Sequence, residues 1–179
     1  NYVMEKTLVE LPLDLKKKLN VFLNTSKYII NSAVAIEKEK RTSTVDLHNI
    51  LKEQININKS VNNKLHYVHV KPVYNDICNI IKKYIQGELK LSGNNLYPNP
   101  GWMNWHTNNN YPGTRCYFTY VKDINKSCFK YYNLKEKKVI TDVDNSECIL
   151  RKFVVNEDNP FWHCVESNTT RLSIGFHVT

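Results

Sequence analysis

The chain has 179 residues, of which 41% are hydrophobic, and it carries a formal net charge of +8 at pH 7. This size and apolar content predict a single domain over residues 1–179, and no apolar run approaches the roughly 20 residues of a membrane span. The lysines are spread over several segments, so the charge indicates a solvated surface rather than a nucleic-acid site. Five cysteines without a Cys-x-x-Cys pair indicate buried thiols and a cytoplasmic location.

The first half of the chain predicts mainly helices. Residues 8–39 predict helix after Pro12, with a break at 24–26, so that Ile29, Ile30 and Val34 belong to a second helix. Residues 44–55 predict a short helix, 56–64 a polar loop and 65–70 a strand. The clearest helix begins at Pro72 and ends before Gly87. Helices are thus expected over about residues 8–88, before the second half.

The second half predicts a series of short strands separated by turn signals. They cover residues 89–91, 101–106, 115–122, 128–133, 138–141, 147–155, 161–166 and 171–178. Many short strands at even spacing are typical of a jelly-roll sandwich or distorted barrel. The order of elements predicts an α+β fold, with a β core over about residues 89–179 and the earlier helices packed on it.

Two histidine segments in this β half indicate a metal site. The first reads His106-Thr107-Asn108, and His163 follows after a long gap, itself followed by Arg171. Two imidazoles and one carboxylate bind Fe(II) in enzymes that leave three coordination positions open for a 2-oxo acid and dioxygen. The sequence has the two histidines and a basic residue for the 2-oxo acid, but Asn108 stands where the carboxylate is expected.

From residue 96 onwards the sequence resembles the iron(II)/2-oxoglutarate-dependent oxygenases, in particular their prolyl-4-hydroxylase-like branch. The segments that carry the resemblance are Tyr97-Pro98-Asn99-Pro100-Gly101, His106 to Arg115, Tyr120-Val121-Lys122-Asp123, and His163 to Ser173. The resemblance implies a double-stranded β-helix of the jelly-roll or cupin type, backed by the N-terminal helices. It also implies Fe(II) and 2-oxoglutarate as cofactor and co-substrate.

The resemblance assigns a role to each matching residue. It implies His106, Asn108 and His163 as metal ligands, and Arg171 with Ser173 as the residues that bind the distal carboxylate of 2-oxoglutarate. Arginine suits this role because its planar fork makes two charge-assisted hydrogen bonds to a carboxylate. The hydroxyl of Tyr120 is implied beside the same carboxylate and Tyr97 on the opposite wall. The alternatives for the two tyrosines are Tyr117 and Tyr131.

Asn108 leaves three interpretations open, because an amide oxygen brings no charge to a metal. The protein is a dioxygenase with a weakened site, it binds a halide where the carboxylate is missing, or it is a degenerate or non-enzymatic binding module of the same fold. Asp142 or Asp144 could supply a carboxylate from elsewhere. We expect an enzyme that hydroxylates a small molecule or a protein side chain; the sequence does not identify the substrate or the oligomeric state.

Overall fold

The computed structural model describes residues 4–53, 62–108, 111–158 and 160–179. Within these ranges the helices are α1 (Leu13–Asn24), α2 (Thr44–Glu53) and α3 (Lys71–Ile81), with a 3-10 turn at Glu37–Glu39. The strands are β1 (Glu5–Leu8), β2 (Ile29–Val34), β3 (Lys64–Val68), β4 (Leu89–Tyr97), β5 (Gly101–His106), β6 (Gly113–Val121), β7 (Ser127–Asn133), β8 (Lys138–Val143), β9 (Cys148–Val155), β10 (His163–Ser167) and β11 (Arg171–Val178). Most of the loop predicted at 56–64 lies outside the described residues.

All strand pairings are antiparallel, and the described strands follow the order β1-β9-β6-β11-β4-β3-β5-β10-β7-β8, with β2 paired to β3. We call β1, β9, β6, β11 and β4 the large half-sheet, and β5, β10, β7 and β8 the small half-sheet. Strand β3 joins the two, since His66 and Tyr67 pair with β4 while Lys64 pairs with Trp102 of β5. This mostly antiparallel fold with three helices is compatible with a jelly roll.

The helices cover the outer faces of the half-sheets. Leu19 of α1 and Ile77 of α3 pack in one buried cluster with Phe118 and Leu172 of the large half-sheet. Helix α2 places Leu47 and Ile50 in a smaller cluster with Trp105 of the small half-sheet. Each helix thus buries the apolar stripe that its sequence shows, which holds the outer faces in place.

An aromatic cluster fills part of the space between the inner faces. Phe129 of β7, Phe153 of β9 and Phe161 are buried and in ring contact, with centroids 4.5 Å apart for Phe153 and Phe161. The ring of His163 lies against all three, at 5.3 to 5.5 Å between centroids. The inner faces therefore enclose an apolar wall that borders the predicted site.

The strands predicted in the second half are present with ends within two residues of those expected, except that the strand predicted at 89–91 continues to Tyr97. Period-two alternation is the pattern of a strand, whose successive side chains point to opposite faces. The predicted second helix is wrong: Ile29–Val34 form β2, whose β-branched side chains pair against β3 rather than packing as a helix stripe. Strand β1 was not predicted. Its four residues pair with β9 at the edge of the sheet. The two end residues are exposed and the two central ones only partly buried, so the sequence shows no alternation of apolar residues that would predict a strand. The first half is therefore not only helical, since it adds strands to the sheet.

None of the helices in the described residues is long and apolar enough to span a bilayer.

Candidate active site

His106 and His163 lie side by side on neighbouring strands of the small half-sheet. They are direct cross-strand partners between β5 and β10, and their ring centroids are 4.0 Å apart. Nδ1 of His106 is 2.7 Å from the carbonyl oxygen of Asn104, and Nδ1 of His163 is 2.8 Å from that of Phe161. A carbonyl oxygen only accepts, so each Nδ1 carries the proton and each Nε2 is the unprotonated nitrogen, the form that can ligate a metal.

The surroundings of the two rings keep them neutral. Burial lowers the pKa of His106 to about 4, although the hydrogen bond to Asn104 raises it in part. Burial also lowers the pKa of His163 well below its ordinary value, and the neighbouring His106 and the charge of Arg115 lower it further. Neutral imidazole is the form that binds metals, so the pair is ready to ligate at neutral pH.

Asn108 belongs to the same cluster through Tyr117. Its side-chain nitrogen donates to the Tyr117 hydroxyl at 3.4 Å, and that hydroxyl is 3.5 Å from Nε2 of His163. Burial raises the pKa of Tyr117 to about 12, so the hydroxyl keeps its proton and donates it toward the imidazole. Asn108 has φ +54°, a conformation that asparagine and aspartate adopt more readily than most residues. The amide is thus beside the histidines.

Arg171 is fixed by a carboxylate below the inner face. Its Nε donates to Oδ2 of Asp144 at 2.7 Å, and Asp144 also pairs with Nη1 of Arg151 at 2.7 Å, with all three side chains at most 1% exposed. Nη1 of Arg171 is buried and has no hydrogen-bond partner among the described residues. Arg171 lines the cavity, so this nitrogen is an unused donor on a cavity-lining side chain.

Asp142 and Asp144 are both engaged with cations rather than with the histidines. Asp142 pairs with Nζ of Lys6 at 2.9 Å and with Nε of Arg151 at 2.7 Å. Neither carboxylate lines the cavity that contains the histidines. The interpretation in which one of them supplies the missing metal ligand is therefore corrected: their charges are used to hold buried arginines.

Tyr97 and Ser173 lie on the inner face near Arg171. Tyr97 is the cross-strand partner of Arg171, whose guanidinium carbon is 5.4 Å from the centre of the tyrosine ring. Ser173, two residues after Arg171 on β11, lines the same cavity. Both residues, like His106, Asn108, His163 and Arg171, are thus brought to one place.

Tyr120 is on the opposite face of the large half-sheet. Its hydroxyl donates to Oδ1 of Asn20 in α1 at 2.6 Å, and its ring packs in the helix-side cluster. Side chains alternate along a strand, so Tyr117, not Tyr120, shares a face with Arg115. Tyr120 therefore lies outside the cavity, which corrects the role that the resemblance implied for it, and its odd, five-residue spacing from Arg115 was the signal that excludes it. Tyr131 does not line the cavity.

A cavity of about 360 Å³ lies between the half-sheets at this point. Gly175 helps to make room for it, because a Cβ there would be 3.1 Å from the ring of Tyr117 and would push that ring aside by a few tenths of an ångström. Arg115 and Arg171 both line the cavity, and no Asp or Glu does among the described residues. The site therefore combines two neutral imidazoles with two cations, which favours an anionic ligand.

The fold resembles that of a prolyl-4-hydroxylase. A crystal structure of the Pseudomonas putida prolyl-4-hydroxylase has a TM-score of 0.51 and 9% identity, covering 100% of this chain and 94% of the other. A Trichoplax adhaerens prolyl hydroxylase in complex with a peptide of the hypoxia-inducible factor oxygen degradation domain has a TM-score of 0.44 and 14% identity, with 95% and 94% covered.

These likenesses concern the fold. No protein-family model matches the chain, and no curated protein matches it. The likeness to the Pseudomonas putida enzyme supports the expectation of a jelly-roll fold. A fold does not by itself determine chemistry, which depends on the side chains of the site.

The donor set fits a divalent metal in part. The two imidazoles lie on adjacent strands with centroids 4.0 Å apart and each has an unprotonated Nε2, while the Asn108 amide is connected to them through Tyr117. Among the described residues, however, no three His, Cys, Asp or Glu side chains come together as a metal site. A metal here would be held by His106, His163 and the weaker amide oxygen of Asn108. The sequence did not predict that Asp144 holds Arg171, or that Tyr117 connects Asn108 to His163.

Proposed function

We propose that this protein is an Fe(II)/2-oxoglutarate-dependent dioxygenase built on a double-stranded β-helix. The observation that carries the proposal is the imidazole pair, in which both Nδ1 atoms donate to backbone carbonyls and both Nε2 atoms are unprotonated. A metal would replace the long 3.5 Å contact of the Tyr117 hydroxyl at Nε2 of His163. The substrate class is a small molecule or a protein side chain. When bound, Fe(II) and 2-oxoglutarate supply the oxidation of an unactivated C–H bond by dioxygen.

The residues of the chain would then divide the binding work. His106 and His163 hold the metal, and Asn108 contributes a neutral oxygen. Arg171 donates its unpartnered Nη1 to the distal carboxylate of 2-oxoglutarate, next to Ser173. Since the Nε of Arg171 is already held by Asp144, the guanidinium needs little reorganisation to bind its ligand.

Charge supports binding of a dianion at this end of the cavity. The network below Arg171 contains the cations Lys6, Arg151 and Arg171 against the carboxylates Asp142 and Asp144. One positive charge therefore remains in excess before Arg115 is considered. In a buried site that charge attracts a carboxylate more strongly than it would in water.

The experiment is an anaerobic Fe(II) titration followed by an assay of 2-oxoglutarate conversion to succinate. We expect Fe(II) binding in the wild type and a large loss in His106→Ala and in His163→Ala. His48→Ala, which changes an exposed histidine of α2, is the matched control and should bind like the wild type. Equal metal affinity in all four proteins would contradict the proposal.

The second candidate is a catalytically degenerate or non-enzymatic binding module. It is favoured by one observation, the absence of a carboxylate from the cavity lining among the described residues. This candidate predicts ligand binding that depends on Arg171 without any Fe(II)-dependent turnover. Succinate formation that requires both Fe(II) and His106 would exclude it.

A further inference from the structure

Three basic side chains form a row across adjacent strands of the large half-sheet. Arg115 of β6 is the cross-strand partner of His177 in β11, and His177 is in turn the partner of Lys90 in β4. All three line one cavity of about 460 Å³, which places them on the same face. We call Lys90, Arg115 and His177 the basic row.

The basic row lies at the open end of the candidate active site. Its cavity shares Ser92, Asn108 and Arg115 with the cavity that holds the histidines. Arg171 is 1% exposed at the closed end of β11, whereas Lys90 is exposed and His177 half-buried at the other end. The basic row is two residues, roughly 7 Å, from the Gly175 and Tyr117 pair that adjoins His163.

No carboxylate balances these side chains. The lining of their cavity contains no Asp or Glu among the described residues, and none of the three forms an ion pair there. Among the described residues, Lys90 and Arg115 are thus cations without an opposite charge beside them, and a bound anion would supply that charge.

Arg115 in addition has an unused donor. Its side chain is 6% exposed, its Nη2 donates to the carbonyl oxygen of Tyr111 at 2.7 Å, and its Nε has no partner among the described residues. His177 donates from Nε2 to the carbonyl oxygen of Pro112 at 3.1 Å. Gly113, at φ +130°, allows this approach, because a Cβ there would be 2.4 Å from that Nε2. The turn thus holds Arg115 and His177 in fixed positions.

We propose that the basic row binds an anionic group, a carboxylate or a phosphate, on the primary substrate. The bound anion would hold the substrate at the open end of the cavity, with its reacting carbon directed toward His106 and His163. This inference rests on the proposed function for the reaction itself. The anion site follows from the geometry of the row, and it is separate from the carboxylate site at Arg171.

The test is an NMR titration of the ¹⁵N-labelled protein with inorganic phosphate and with acetyl-glutamate amide, using acetyl-glutamine amide as the neutral comparison. Phosphate binding alone would assign a phosphate-bearing substrate, and binding of the glutamate probe a carboxylate-bearing one. We expect Lys90→Gln and Arg115→Gln to weaken the anion affinity roughly tenfold or more. Lys138→Gln, an exposed lysine of β8, is the control and should bind like the wild type.

The inference would be overturned if Lys90→Gln and Lys138→Gln bound the anion with equal affinity. It would also be overturned if the wild type bound the glutamate and glutamine probes equally and did not bind phosphate. Lys90 is exposed, so its variant remains informative if Arg115→Gln does not fold. Arg171→Leu separates a failure of the proposed function from a failure of the anion site. That variant should lose affinity for 2-oxoglutarate but keep its affinity for the anion at the basic row. A wild type that binds the anion without binding Fe(II) would refute the dioxygenase and leave the basic row intact.

Discussion

Replacement of Asp144 by asparagine should be among the most destabilising single changes in this protein. The carboxylate bridges Arg151 and Arg171 at 2.7 Å each, and all three side chains are essentially buried. An asparagine supplies one acceptor oxygen but places an NH₂ group against the second guanidinium. Breaking a buried ion pair from one side costs about 3–5 kcal/mol, because the remaining charge is left without compensation in a desolvated place. For a chain of this size that corresponds to a fall in Tm of roughly 6–20 °C.

The assay is urea unfolding at pH 7, followed by circular dichroism, with Asp76→Asn as the matched control. Asp76 pairs with Lys18 at 2.9 Å, so the distances are similar, but those side chains are 42% and 54% exposed. An exposed pair contributes at most about 1 kcal/mol. If Asp144→Asn destabilises the protein no more than Asp76→Asn, the buried network does not hold Arg171 as described.

The pH dependence gives the same prediction a second test. Burial alone raises the pKa of Asp144, but the charges of Arg171 and Arg151 and the hydrogen bonds from Arg171 and Ser127 outweigh it, so the pKa is far below its ordinary value. The folded pKa is depressed, so the stabilisation is complete above about pH 4 and is lost as the pH falls below that value. The difference in unfolding free energy between wild type and Asp144→Asn should therefore narrow at pH 3.

Three further predictions concern the cavity. Asn108→Asp should raise the affinity for Fe(II), because a carboxylate brings a negative charge to the metal. His106→Ala should lower that affinity both in the wild type and in Asn108→Asp. An Fe(II) titration that Asn108→Asp leaves unchanged would remove Asn108 from the ligand set. Arg171→Leu should weaken 2-oxoglutarate binding by about 1.5–3 kcal/mol, measured by calorimetry on protein shown to be folded, and unchanged affinity would exclude Arg171 from the site. In the metal-free protein, His106 by itself should account for a loss of roughly 3 kcal/mol of stability between pH 6.5 and 4, since burial lowers its pKa to about 4 and the unfolded chain takes up the proton earlier. His163, whose pKa burial also lowers, adds to this loss. Urea unfolding across that range should show a shallower slope for His106→Gln, and identical slopes would contradict the depressed pKa.

Much of the β half could be predicted from the sequence, because strand residues alternate between two environments within a few positions of one another. The alternation predicted the observed bounds of β11 and placed the ends of β6 within two residues. It also puts Arg171 and Ser173 on one face, as the structure has them. The order His106, His163, Arg171 indicated a common cavity, and the structure brings these three residues to one. The spacing of the apolar residues predicted a helix at Ile29–Val34, but these residues form a strand.

The partners of each side chain were decided only by the tertiary structure. Asp144 is 27 residues from Arg171, and Lys6 is 136 residues from Asp142, so no local pattern connects them. The basic row likewise depends on the register of three strands that are distant in sequence. The sequence by itself determined which residue types were available for a metal and an anion, since those are properties of single side chains. Which of them meet, and which carboxylates are already bound to arginines, depends on long-range strand pairing, whose register is fixed by burial of whole faces rather than by neighbouring residues.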